Sequence, residues 1–196
     1  MVLQFLSDQR AFLLWYEDWK KRLPEMELTT FQFRKEENLT EMLRDSTSID
    51  RIRNRGHLAL TIFSPNGRRA VNPMASSEVI KKNDYYDLVR DDSNELRLYD
   101  FTTNTSSRIL FIGNYGPWIE GIAWLTDNLV VTVGEHFDLS GKTDMMAPAI
   151  MLFDFNKMTM RTMVGEFIPA LNYFKTRRLG GELLTEPRLM FQFYAK

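Results

Sequence analysis

Leu98-Tyr99-Asp100-Phe101 and Leu152-Phe153-Asp154-Phe155 stand 54 residues apart, each followed by a polar turn and another apolar run. Around the first copy, residues 95–101 alternate with the period of a half-buried strand, 102–105 turn, and 108–112 return. Upstream, Leu58, Leu60 and Ile62 alternate with Ala59, Thr61 and Phe63. Ser64-Pro65-Asn66-Gly67 then supplies a proline and an Asn-Gly pair suited to a tight reversal, and 69–73 is the returning strand. The same order recurs around the second copy. Strands are expected over 119–125, 129–134, 149–155 and 160–165, with turns at Thr126-Asp127-Asn128 and Asn156-Lys157. Phe63 before the first turn corresponds to Trp124 before the second. Asp100 and Asp154 are assigned to turn formation, because an Asp side chain accepts hydrogen bonds from backbone N–H groups just beyond it.

These readings predict a mostly β chain with two consecutive four-stranded antiparallel sheets, at 57–113 and 114–166. The spacing is close to that of propeller blades, about 40–50 residues with four strands each. An amphipathic helix is expected within 1–24. Phe12, Trp15, Tyr16, Trp19 and Leu23 form one stripe at helical spacing, Ser7 is a candidate N-cap, Lys20, Lys21 and Arg22 suit the C-terminal end, and Pro24 stops the pattern. The stripe is expected to pack on the chain's own sheet. Residues 25–56 read as irregular, with a strand near 28–34 and a short helix capped by Asn38; 167–196 read as a C-terminal segment with a final strand at 188–194. Two unclosed sheet units leave long edges that proteins normally cover. Cover is expected from the N-terminal helix and C-terminal segment, or from a second copy of the chain.

The stretch Phe63-Ser64-Pro65-Asn66-Gly67-Arg68-Arg69-Ala70, followed by Leu96-Arg97-Leu98-Tyr99-Asp100-Phe101, resembles the Ser-Pro-Asp-Gly repeats of TolB-type and related WD40-like bacterial β-propellers. In that family the Pro-Asp-Gly turn joins the first two strands of a blade and an aspartate closes the third. Here Asn66 takes the place of the turn aspartate. The second unit keeps Asp154 but carries Thr126-Asp127-Asn128 where the turn motif would stand. The resemblance spans residues 57–166 and implies two propeller-blade-like sheets. Propellers close with about four to eight blades. Phe31-Gln32-Phe33 and Phe191-Gln192-Phe193 are the only candidates for strands of a split third sheet, and a two-sheet β-sandwich is the structural alternative.

Composition narrows the chemistry. With 25 basic and 26 acidic residues the formal charge is -1, which lacks the basic excess of a nucleic-acid binder. The absence of cysteine removes disulfides, thiolate metal sites and cysteine nucleophiles. No run approaches the ~18 apolar residues of a membrane span, so no integral membrane segment is expected. The reading is of a soluble protein, cytoplasmic as the sequence stands or periplasmic if a targeting segment has been removed. No Gly-x-Ser-x-Gly elbow, Walker loop or His-Glu-x-x-His helix occurs, and the histidines are His57 and His136. Arg51, Arg53 and Arg55 would share one face of an extended backbone, and Arg177 with Arg178 would form a small basic patch offset by Glu182 and Glu186. Both read as solvated surface.

Binding residues are sought in the longer connections, where recognition on a sheet scaffold tends to sit. Residues 74–94 carry Asp84, Tyr85, Tyr86, Asp87, Asp91 and Asp92, and the junction between the units carries Tyr115 and Trp118. Tyr85, Tyr86, Tyr115 and Trp118 are the candidate ligand- or partner-binding residues, although Tyr115 and Trp118 also suit closure of the core end. No cofactor is expected. Three functions are compatible: a non-enzymatic binding or scaffold protein holding a protein or peptide, a carbohydrate or small-ligand module using Tyr115 and Trp118, and a metal-dependent or acid–base enzyme at Glu135-His136-Phe137-Asp138. The last requires the backbone there to form a loop, because successive strand residues face opposite ways.

Overall fold

A computed structural model describes residues 10–43, 46–49, 61–73, 75, 78–81, 86–89, 94–112, 118–138 and 144–169. The described chain is mostly β, with two antiparallel sheets, one small hairpin and few helices. Helix α1 (Arg10–Arg22) and a 3-10 turn (Leu28–Thr30) precede β1 (Gln32–Asn38), the short helix α2 (Leu39–Met42) and β2 (Ser46–Ser48). The first repeat unit supplies β3 (Ile62–Phe63), β4 (Arg69–Asn72), β7 (Asn94–Asp100) and β8 (Thr105–Ile112), with the hairpin β5 (Glu78–Lys81) and β6 (Tyr86–Val89) between its second and third strands. The second unit supplies β9 (Trp118–Thr126), β10 (Leu129–Asp138), β11 (Met145–Asp154) and β12 (Thr159–Val164), followed by β13 (Ile168–Pro169).

Each unit is an up-and-down run of four neighbouring strands, but neither sheet stops at four. The first sheet is ordered β2-β8-β7-β4-β3, and the second β1-β12-β11-β10-β9 with β13 beside β11. The additional outer strands come from the N-terminal segment, because an unpaired outer edge leaves backbone donors and acceptors to be satisfied. The expected strand at 28–34 is therefore displaced to Gln32–Asn38. Phe31-Gln32-Phe33 does not open a third sheet; its last two residues belong to an outer strand of the second. Phe191-Gln192-Phe193, Ser7, the three arginines at 51–55 and the basic pair at 177–178 lie outside the described residues. Asn38 caps α2 as expected, its side chain accepting from the Thr40 amide at 2.8 Å.

The repeat extends to hydrogen bonds. Asp100 Oδ1 accepts from the amides of Thr102 and Thr103 at 2.9 and 3.3 Å, and Asp154 Oδ1 accepts from those of Asn156 and Lys157 at 3.0 and 3.1 Å. Both turns end in a left-handed residue, Asn104 and Met158, each at φ 54°. The carbonyls of those two residues accept from Ile49 and Leu39, the residues just past β2 and β1. Phe63 stacks on Phe101, and Trp124 packs on Phe155, with ring centroids 5.6 and 5.9 Å apart.

The sheets face each other across one core. Ile62, Val71, Leu96, Leu98 and Ile109 of the first meet Ile122, Val130, Met151, Phe153 and Met160 of the second. The opposite face of the second sheet is covered by α1, whose Phe12, Trp15 and Trp19 pack with Val131, Val133, Met146 and Ile150. The helix thus covers a face, while the next segment covers one edge of each sheet. Two indole N–H groups are satisfied on the way in, Trp15 by the Gly134 carbonyl at 3.3 Å and Trp19 by Glu120 Oε2 at 3.1 Å. The solvent side of β1 is blunted by charge and by a bulge between Phe33 and Lys35. Glu36 pairs with Arg161 of β12, and Lys35 with Glu37 at 2.8 Å. Such an edge resists further strand addition.

Trp19 is fully buried, so Trp19→Ala is expected to cost about 3–5 kcal/mol in urea unfolding. Thr132 and Thr162 flank Met151 across the second sheet, and among the described residues their buried hydroxyls have no hydrogen-bond partner. Thr162→Val removes that penalty and is expected to raise stability by about 1 kcal/mol; a loss would mean that the hydroxyl is satisfied.

Candidate functional site

Strand direction sorts the connections into two ends. The reversals at 64–68, 101–104, 127–128 and 155–158 lie together, because Asn66 and Arg69 of the first sheet hydrogen-bond Asp127 and Asn128 of the second. The connections 73–93, much the longest, 113–117 and 139–144 leave from the other end. Tyr86 opens β6 opposite Lys81, and Trp118 opens β9 opposite Glu135. Tyr85 and Tyr115 lie outside the described residues. Strand direction therefore puts the start of β9 at that end, and the connection that contains the β5–β6 hairpin leaves from it.

The Glu135-His136-Phe137-Asp138 run is not the loop that a metal or acid–base centre would need. β10 continues through it, with Glu135, His136, Phe137 and Asp138 registered against Pro148, Ala147, Met146 and Met145. Ten consecutive ladder pairs hold the backbone extended, so Glu135 and His136 project from opposite faces. Phe137 packs in the helix-covered core, which puts Glu135 on that side, where it is buried. His136 instead meets the edge of the Phe167 ring, with centroids 6.1 Å apart. Burial, followed by the nearby charges of Arg34 and Lys35, pushes the imidazole pKa below its ordinary value, and Asp138 opposes the shift. Among the described residues no three His, Asp or Glu side chains gather as a metal site.

The most developed polar geometry is at the tight-turn end, which sequence reading passed over as turn chemistry. The Gly67 amide donates to the Ser64 carbonyl at 2.9 Å, and Gly67 sits at φ +68° to let β4 begin. Asn66 Oδ1 accepts from the Ser64 hydroxyl and the Arg68 amide, while the Asn66 amide reaches Asp127 Oδ1 at 2.8 Å. Arg69 links the sheets: its Nε donates to Asp100 at 3.0 Å, an Nη donates to Asn128 Oδ1, and its guanidinium lies 5.8 Å from the Phe155 ring centroid. Above Arg69 opens a cleft of about 230 Å³ lined by Asn66, Arg68, Arg69, Thr102, Asp127 and Asn128. Burial alone would raise the pKa of Asp100. The hydrogen bonds from Thr102, Arg69 and the Thr103 amide outweigh it and hold the carboxyl below its ordinary range.

On the first sheet's other face, Tyr99 is fully buried and accepts from Asn72 at 3.4 Å. Arg97 donates to Ser106 Oγ at 2.9 Å and pairs with Glu95. Burial pushes the Tyr99 phenol up to about 12, so it stays protonated at neutral pH. This network fastens neighbouring strands.

No protein-family model matches the chain, and no match was found among curated proteins or solved structures. Among the described residues no helix is long and apolar enough to cross a membrane.

Because the Asp100 pKa falls on folding, its stabilising contribution is present above the ordinary carboxylate range and lost as pH drops through the folded value. The stability gap between the native chain and Asp100→Asn should therefore narrow as pH is lowered from about 5 to about 2. Urea unfolding at a series of pH values checks this, and a constant gap would contradict it. Gly67 has open space around its Cα, so Gly67→Ala should lose about 1 kcal/mol from backbone strain alone, with Gly67→Asn losing less.

Proposed function

We propose that the chain is a non-enzymatic binding protein of propeller-like type, which holds a protein or peptide through the long connections at one end of its two sheets. The supporting observation is an asymmetry of the two ends: four reversals interlock at one, while 73–93, by far the longest connection between strands of the two units, leaves from the other together with 113–117 and 139–144. A rigid base with a long connection opposite it suits recognition, since ordered sheets limit the entropy lost when a partner is bound. Tyr85, Tyr86, Tyr115 and Trp118 are the proposed contacts, their rings offering large apolar area with a polar tip at low rotamer cost.

The blade reading is part of the same proposal. Both units repeat the turn geometry at Asp100 and Asp154, and each carries an added outer strand. Helix α1 covers the face of the second sheet on which a further blade would stack, so on that side the arrangement ends in the helix.

Panning a random peptide phage library over the immobilised chain tests the function. Enriched peptides should bind with micromolar affinity and lose at least about tenfold with Tyr85→Ala/Tyr86→Ala or with Trp118→Ala, while Arg161→Gln, at the outer edge, leaves them unchanged. Failure to enrich any peptide, or binding insensitive to these tyrosines and to Trp118, would reject the reading.

A further inference from the structure

We propose that the cleft at the tight-turn end binds the C-terminal unit of a peptide, through its α-carboxylate and the amide N–H of the same residue. The cleft lies away from the long connections, so the proposal stands apart from the function argued above.

Most polar groups around the cleft are already committed. Arg69 is held by Asp100 and Asn128, the Asn66 carbonyl oxygen by Ser64 and Arg68, and one Asp127 oxygen by the Asn66 amide. Three kinds of group remain uncommitted among the described residues: the exposed Arg68 guanidinium, the side-chain NH2 groups of Asn66 and Asn128, and the second oxygen of Asp127. Donors therefore outnumber acceptors, with one cation and one acceptor oxygen left over.

That inventory selects a ligand. A carboxylate takes the bidentate fork of Arg68 and the asparagine N–H groups. The spare Asp127 oxygen then needs a donor attached close to that carboxylate, which the amide N–H of a C-terminal residue provides. A phosphate dianion is disfavoured, because the Asp127 carboxylate lines the same cleft as Arg68, the one uncommitted cation there among the described residues. The volume of about 230 Å³ suits a single residue rather than a drug-sized molecule. Rigidity favours binding as well: Gly67, the Asp127 bond and the Arg69 link fix the walls before a ligand arrives.

The test is a ¹H–¹⁵N correlation titration of the full chain with N-acetylalanine, N-acetylalaninamide, propionate and N-acetylaspartic acid α-amide. N-acetylalanine is expected to produce saturable one-site shifts at the amides of Asn66, Gly67, Arg68, Thr102 and Asp127. The amide should give none, propionate should bind more weakly because it lacks the N–H, and the aspartate derivative should bind more weakly because its carboxylate sits on a side chain. Arg68→Gln should weaken N-acetylalanine about tenfold or more. Since Arg68 is exposed, the spectrum of that variant should otherwise overlay that of the native chain, separating lost binding from lost fold. No saturable shift, equal binding of the amide or of the aspartate derivative, or an unchanged affinity in Arg68→Gln would each overturn the proposal.

Discussion

Arg69 fixes how the two sheets sit on each other. Apolar burial brings them together, but it is non-directional and would tolerate sliding along the strands. The guanidinium removes that freedom by bonding Asp100 within its own sheet and Asn128 of the facing one, while lying over Phe155. The Asn66–Asp127 bond adds a second tie a few residues away. With the turn ends held, strand direction delivers the long connections to a common end and leaves the polar cleft between the reversals. Both ends thus derive from one geometric constraint.

The internal repeat is more regular in its backbone than in its side chains. The Asp-centred turns, the left-handed residues that close them and the amides that bond their carbonyls recur in both units. The first reversal, by contrast, uses proline and a positive-φ glycine, and the second uses Asp127 and Asn128. That divergence is useful at the junction. The side chains of the second turn are the acceptors that tie down Asn66 and Arg69, a role that a second Pro-Asn-Gly turn could not fill in the same way.

The N-terminal segment does two jobs that a four-strand unit cannot do for itself. Helix α1 buries aromatic side chains over the outer face of the second sheet, and the chain beyond it pairs along the outer edges of both sheets through β1 and β2. Leu39 and Ile49, just past the ends of these strands, are fully buried and donate to the carbonyls of Met158 and Asn104. The strap is therefore anchored by apolar burial at the turn end as well as by its ladder.

The sequence by itself determined whatever local physics writes into neighbouring residues. Period-two alternation marked strands of the first unit and recurrence of the same order marked those of the second, Pro65, Asn66 and Gly67 marked a reversal, Asp100 and Asp154 marked turn closure, and the Phe12, Trp15, Trp19 stripe marked a helix with one apolar face. Only tertiary structure decided the rest. β1 (Gln-Phe-Arg-Lys-Glu-Glu-Asn) and β2 (Ser-Thr-Ser) lack apolar alternation because they lie exposed at sheet edges, and their pairing partners are more than fifty residues away. The Glu135–Asp138 run groups polar side chains in the sequence, yet its four residues continue the ladder with β11 and remain strand. The cleft was invisible for the same reason: Asn66, Arg68 and Asn128 carry ordinary turn chemistry in the chain, and only the docking of two separate turns turns them toward a common space. Local propensity is encoded within a few residues, whereas edge pairing and inter-sheet contact depend on groups that meet only after the chain has folded.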